Sequence, residues 1–391
     1  MSVGKRIGLR TEGRRALLLI VIPAILLSVL LSACGQSQQA SGQGEKKITI
    51  AVMGSQEVYA YDPSFFNGIK MAAQDCNEAY EAAGITISLA FYDDGYEYEK
   101  GLLLSSLLAG DEAVTAVFGS HSFEILDAGA PVFENAGKIL LAVNGMMDRT
   151  IEGKRYGMIF RNTFGEKDMG ASLALYAARR DIARIAICRS DTEFENNLAL
   201  AFCSEAQKAG LSVVDITSEL GVARDFNKKL EKWRTLEVDG VVISRDAIKD
   251  AFTLASYIKE GLQDAALFGD FSFDAGEMLV QYRDDTEGLV MPALVPVKSS
   301  PELSAFYERY RERYGEEPTW WAAHGYDSVR LIAQAAYESG TNDPEAIARF
   351  LHESGGYQGL TGKIAFDGEG LLTGREPTYS VVRDARLTGE E

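Results

Sequence analysis

From residue 47 onward, short apolar runs rich in β-branched and aromatic residues alternate with longer stretches whose apolar positions recur every three or four residues. The short runs predict strands at 48–52, 85–91, 114–118, 139–143, 184–188, 211–216, 240–244, 266–268 and 288–291. Between the first two, NGIKMAAQDCNEAYEAAG sets Ile69, Ala72, Ala73 and Cys76 on one helical face. Gly84 stands where a C′ glycine closes a helix, and SEAQKAG and IKEG are expected to end in the same way. Three more helices are predicted near 301–313, 319–338 and 343–354, followed by a β-rich ending at 362–366 and 379–382. Strand–helix alternation specifies βαβ units, right-handed crossovers and mostly parallel sheets flanked by helices. The units are too many for one comfortable sheet, so an α/β fold of two lobes is expected. Phe160-Arg161-Asn162 is the first crossing, because the pattern restarts after it. No repeat of 20–50 residues argues for a solenoid.

The first 33 residues follow another rule. Lys5, Arg6, Arg10, Arg14 and Arg15 precede an apolar run from Ala16 to Leu31, and Leu31-Ser32-Ala33-Cys34 follows. This reads as an export signal rather than a membrane span. Its last four residues resemble a bacterial lipobox, which implies cleavage before Cys34 and lipidation of that thiol. Residues 34–46 contain almost nothing to bury and are expected to be a flexible tether. The net charge of the chain is −18; removing 1–33 takes away five basic and one acidic side chain and leaves −22. No basic stripe is present to neutralise phosphates, so nucleic acid is not an expected partner. About 345 residues remain, enough for two cores. Cys76, Cys188 and Cys203 cannot all pair; burial as small apolar side chains is the favoured reading, with a Cys188–Cys203 disulfide as the alternative.

The three histidines give little to catalysis. His324 lies on an apolar helical stripe and reads as structural; His352 lies in a polar helix end and reads as solvated. His121 sits between Ser120 and Ser122 in FGSHSFE, but adjacent residues rarely attain nucleophile–base geometry, and there is no GxSxG elbow. Phosphate-loop, dinucleotide, zinc and EF-hand motifs are missing, so no cofactor or metal is expected. Asp93-Asp94 and Asp284-Asp285 read as solvated or capping turn residues.

Strand ends are more informative, because open α/β sheets bind ligands beyond the carboxyl ends of their strands. The ends here run into GSQEVYAYDPSFFNG, GSHSFE, Asn144-Gly145-Met146-Met147, Arg189-Ser190-Asp191 with Phe194, Arg245-Asp246 and Gly269-Asp270-Phe271-Ser272-Phe273. Aromatic, hydroxyl and acidic residues recur there, as an aromatic-lined small-molecule cleft requires.

This order of segments resembles the type I periplasmic binding proteins, specifically the branched-chain amino acid (Leu/Ile/Val) receptors of ABC transporters. The likeness runs from about Lys47 to the C-terminus, through FFNGIKMAAQDCNEA, FYDDG, AVFGSHSFEILDAGAPVFENAGKILL, IFRNTFGEKDMGASLALYA, ARIAICRSDTEFENNLALAFCSEAQKAG, FGDFSFD, FYERYRERYGEEPTWWAAHGYDSVRLIAQA and GLTGKIAFDGEG. It implies two α/β lobes joined by three crossovers: 47–161 with 294–372, and 162–293 with 373–391. A ligand would sit between the lobes, which close on it.

The resemblance also implies ligand-gripping turns at Tyr61, Ser120, Ser122-Phe123, Asn144-Gly145-Met146, Phe194, Asp246 and Asp270-Phe271. Amino acid receptors of this family commonly carry Ser-Ser in the second turn and small hydroxyl residues in the third, where they hold an α-carboxylate with helix N-terminal amides. This chain has Phe123 and Glu124 after Ser122, Met146 in the third turn, and Phe194 where tyrosine is common. An aliphatic amino acid is the family default. The departures favour a more apolar or aromatic ligand, with Asp246 or Asp270 available to a cationic group. The expected function is that of a monomeric, lipid-anchored, extracytoplasmic solute-binding protein that delivers a small molecule to an ABC permease and performs no reaction. A ligand sensor of the same fold and a secreted hydrolase are the alternatives.

Overall fold

The computed structural model describes residues 45–218, 223–293 and 300–390. The expected export signal, Cys34 and nearly all of the tether lie outside the described residues. Strands β1 (Lys46–Gly54), β2 (Ile85–Asp93), β3 (Ala116–Phe118), β4 (Ile139–Ala142) and β5 (Ile159–Arg161) form a parallel sheet in the order β2-β1-β3-β4-β5. Strands β6 (Arg184–Arg189), β7 (Ser212–Thr217), β8 (Gly240–Ser244), β9 (Ala266–Gly269) and β10 (Val290–Pro292) make the parallel part of a second sheet, in the order β10-β9-β8-β6-β7. A small antiparallel sheet follows from β11 (Tyr357–Gly359), β12 (Gly362–Phe366) and β13 (Leu372–Thr373). The hairpin β14 (Tyr379–Arg383) and β15 (Arg386–Glu390) then returns to extend the second sheet beyond β10.

The helices are α1 (Gln56–Tyr61), α2 (Ser64–Ala79), α3 (Tyr98–Gly110), α4 (Phe123–Asn135), α5 (Asp148–Ile151), α6 (Glu166–Arg179), α7 (Glu193–Ala209), α8 (Ala223–Thr235) and α9 (Ile248–Gly261). After them come α10 (Gly276–Gln281), α11 (Arg283–Thr286), α12 (Pro301–Tyr314), α13 (Trp320–Ser339) and α14 (Pro344–Glu353). The first sheet packs with α2, α4, α13 and α14 into one apolar core. In the second sheet the two-residue period of the strands sorts side chains to opposite faces. Ile185, Ile187, Val242 and Phe268 face α6 and α7, whereas Ala186, Cys188, Val241 and Ile243 face α8 and α9. Two α/β lobes therefore stand around two sheets, and the long apolar runs are strands covered on both sides.

Every strand expected up to residue 291 is present, with ends moved by a residue or two. Gly84 differs from expectation: α2 stops at Ala79, and Gly84, with φ +67°, closes a separate 3-10 turn at Glu81–Ala83. Gly210 ends α7 in the left-handed conformation as expected, but Gly261 is the last helical residue of α9. A Cβ on Gly261 would stand 2.5 Å from Leu230, so close packing by α8 accounts for that glycine. Cys76, Cys188 and Cys203 are free thiols. Burial pushes the Cys188 thiol up to about 12, which keeps it protonated and inert. His352 is not solvated: its ring nitrogens face the carbonyls of Asp367 at 2.9 Å and Gly157 at 3.2 Å, and the ring packs on Phe160. His324 is structural, with Nε2 2.8 Å from the Val143 carbonyl.

The first passage from one sheet to the other follows β5 and is built on a buried ion pair. Arg161 Nη1 lies 2.5 Å from Asp148 Oδ1, and both side chains are 3 % exposed. The second Asp148 oxygen accepts the Lys167 amide at the start of α6. Glu166 accepts the Asp148 amide and the Asn197 side chain of α7. Removing one partner of a buried pair strands the other charge. Asp148→Ala should therefore destabilise the protein by about 3–5 kcal/mol in urea unfolding. Asp168→Ala, which removes a half-exposed partner 3.5 Å from the same guanidinium, should cost less than about 1 kcal/mol.

Candidate ligand-binding site

Strand order reverses between β1 and β3 in the first sheet and between β6 and β8 in the second, and each reversal leaves a crevice at the carboxyl ends. In the first, Gly119 follows β3 with φ +131°, and a Cβ there would stand 1.8 Å from the Met53 carbonyl; only glycine fits. This tight path turns the next residues toward the cleft. Ser120 is nonetheless spent on structure: its hydroxyl donates to Asp94 at 2.5 Å and accepts the Ser122 amide at 3.2 Å. Asp94 is fully buried and also accepts the Tyr96 amide, so it is an internal cap rather than a solvated residue. Its neighbour Asp93 is exposed and accepts from the Gln56 and Gly95 amides; with Lys100 first among the causes, its carboxyl is held down to about 2.

Ser122 is the N-cap of α4, accepting the Ile125 amide at 3.4 Å. Phe123 is thereby fixed at the first position of the helix and points across to the second lobe. Its ring is stacked on Phe194, with centroids 5.5 Å apart and planes within 7°. Phe194 comes from the first turn of α7, and Phe271, beyond β9, meets both rings edge-on at 5.1 and 6.3 Å. The turn after β4 supplies Asn144, Gly145 and Met146, held in place by Arg161 Nη1 donating to the Met146 carbonyl at 2.9 Å. Phe123, Asn144, Gly145, Met146, Phe194 and Phe271 line one cavity between the sheets. Its volume is about 10 Å³, roughly the room one water needs.

The other sequence-predicted residues stand elsewhere. Tyr61 is 66 % exposed at the end of α1. Asp246 is exposed and bonded to the Ser190 hydroxyl, which also accepts its amide at 3.2 Å. Asp270 is buried beneath Phe271, accepting from Ser244 at 2.5 Å and from the Ser272 amide at 2.9 Å; burial raises its pKa.

Sequence reasoning missed two features. Tyr59, two residues before Tyr61, turns inward and is 4 % exposed, with its ring 3.7 Å from Phe66 and 4.5 Å from His121. Among the described residues, its hydroxyl, His121 Nδ1 and both polar atoms of Asn144 are buried without a hydrogen-bond partner. Burial drives the Tyr59 phenol well above its usual range; the nearby Asn144 amide opposes that shift without making a well-directed bond. Burial pushes His121 down to about 4, so the imidazole is neutral at physiological pH. The second feature is Glu195, beside Phe194: it is 5 % exposed, and its Oε2 has no partner among the described residues. Burial, with Asp270 and Asp246 adding repulsion, raises its carboxyl to about 7. A buried carboxyl next to a cleft residue carries no local sequence signal.

Comparison with known proteins identifies the family and the fold. Residues 50–378 match the family described as periplasmic binding protein, and the chain belongs to it. A Leu/Ile/Val-binding protein homolog from Brucella suis is 22 % identical over 326 residues, covering 83 % of this chain and 86 % of that one. The crystal structure of an ABC transporter substrate-binding protein from Desulfitobacterium hafniense in complex with Leu is 27 % identical. It superposes with a TM-score of 0.80 over 88 % of this chain and all of that one. A solute-binding protein from R. palustris in complex with 4-hydroxybenzoate shares the fold at 20 % identity, TM-score 0.71, over 88 % and 96 % of the two chains. The family is extracytoplasmic, and its members bind solutes rather than transform them.

Glu195 gives a testable pH dependence. Its folded pKa of about 7 lies above the ordinary 4.5, so its contribution to stability is full below 4.5 and is lost as pH rises through 7. Glu195→Gln should remove this fall and raise the melting midpoint at pH 8 by roughly 2–4 °C. An unchanged pH–midpoint curve by calorimetry would reject the assignment.

Proposed function

We propose that this periplasmic binding protein is the solute-binding component of an ABC importer and that it closes two lobes over a small, largely apolar molecule. The lobes would comprise 47–161 with 294–372, and 162–293 with 373–391, a division supported by sheet membership. The observation that carries the reading is the Phe123–Phe194 stack, one ring from each lobe, over a cavity that Asn144, Gly145, Met146 and Phe271 also line. Aromatic walls with a few polar groups suit a small organic ligand, and lobe closure excludes water from it. The Leu-binding relative supports an amino acid as ligand. The apolar character of Phe123, Met146 and Phe194 favours a ligand with an aromatic or extended apolar body. Lipidation at Cys34 would hold the protein, as a monomer, beside a permease on the outer face of the cell membrane.

Chemistry at the Ser120-His121-Ser122 turn has no support. The Ser120 hydroxyl donates a hydrogen bond to Asp94, Ser122 caps α4, and no hydrogen bond joins the His121 ring to either serine among the described residues. Sensing in place of transport would use the same cleft, and a shared operon with permease and ATPase genes separates the two.

Native mass spectrometry of freshly purified protein should reveal a bound small molecule. Phe123→Ala and Phe194→Ala should each weaken its calorimetric affinity by about 10–100-fold while the protein stays folded. Unchanged affinity in both variants would reject the site.

A further inference from the structure

Beside the aromatic stack lies a second feature that the cleft reading leaves unused. Tyr59 Oη, His121 Nδ1, and Asn144 Oδ1 and Nδ2 are all buried without partners among the described residues. They arise from three neighbouring strand ends: Tyr59 on α1 after β1, His121 after β3 and Asn144 after β4. They also converge. A Cβ on Gly54, the last residue of β1, would lie 2.8 Å from His121 Nδ1 and 2.9 Å from Tyr59 Oη. Both groups therefore crowd the same side of the Gly54 backbone, which has room for no side chain of its own. Asn144 lies near the Tyr59 phenol on one side and lines the aromatic cavity on the other. Buried polar groups are nearly always paired, so several orphans in one place mark where an additional partner belongs.

We propose, resting on the cleft reading above, that Tyr59, His121 and Asn144 hold the uncharged polar head of a ligand whose aromatic body lies against Phe123 and Phe194. Asn144 offers a donor and an acceptor together, and Tyr59 offers a hydroxyl, so a primary amide or a hydroxyl can satisfy them reciprocally. The parallel faces of Phe123 and Phe194 suit a flat ring, which keeps a stacking partner on each side once they part. These three groups disfavour charge of either sign beside them. Burial keeps His121 from taking a proton and Tyr59 from losing one, so a cationic or anionic head would meet the same desolvation. Asp94 adds repulsion to an anion, since its charge already acts on Tyr59.

The test compares four probes on the full chain at pH 7.5 by calorimetry and thermal shift: benzamide, benzoate, benzylamine and leucine. Benzamide is expected to bind at least about tenfold tighter than the other three. Tyr59→Phe and Asn144→Leu should keep the probe-free melting midpoint, because each removes groups with no partner, yet weaken benzamide by about tenfold. A lowered probe-free midpoint for Tyr59→Phe would mean the hydroxyl is already paired and would overturn the proposal. So would tighter binding of benzoate, benzylamine or leucine, or binding of none of the four. Leucine affinity lost in Phe194→Ala but intact in Tyr59→Phe would preserve the cleft and overturn the head-group assignment alone. A bound probe indifferent to both substitutions would overturn the cleft reading itself.

Discussion

The contact between Arg161 and Asp148 ties the architecture to the site. Arg161 ends the last strand of the first sheet, and Asp148 opens the short helix after β4. Their charges are withdrawn from water, so the pair holds only because every remaining oxygen and most of the guanidinium find partners. One arm of the guanidinium fixes the Met146 carbonyl, and with it the turn that carries Asn144. The other side of the network reaches the first turn of α6, and through Glu166 and Asn197 it reaches α7, which bears Phe194. Burial and the Asp148 charge raise the Glu166 pKa, a sign of how little solvent enters. The first passage between the sheets and the two walls of the proposed cleft therefore share one set of hydrogen bonds.

Much of this was legible in the chain. Parallel strands covered on both faces leave unbroken apolar runs, and those at 48–52 and 240–244 are visible without any structure. Beyond such strands the ligand side of an α/β fold is fixed by topology, so Phe123, Asn144, Phe194 and Phe271 could be assembled from strand ends alone. The strands β5, β11 and β13 are only two or three residues long and, unlike the equally short β3 and β10, do not lie in the runs expected at 114–118 and 288–291.

The misses have physical reasons. Tyr59 and Tyr61 share a six-residue helix; which one turns inward depends on Phe65, Phe66 and His121, and these meet it only in the folded state. For Asp93 and Asp94 the expected choice is between a solvated and a capping role; Asp94 takes the capping one, and nothing local distinguishes a carboxylate that will receive Ser120 from one that will receive Lys100. Glu195 is a helix-start acid like many others, and its burial is a property of the second lobe as a whole.

A cleft with room for about one water has a kinetic consequence. If solute enters at the cleft proposed above, the stacked rings would have to separate first, and capture would be a two-step process in which the chain moves before the solute binds. The rate of uptake would then stop rising at high solute concentration and level off at the frequency with which the stack breaks. That frequency belongs to the protein, so chemically different solutes would share a single maximum capture rate and differ in how long they stay.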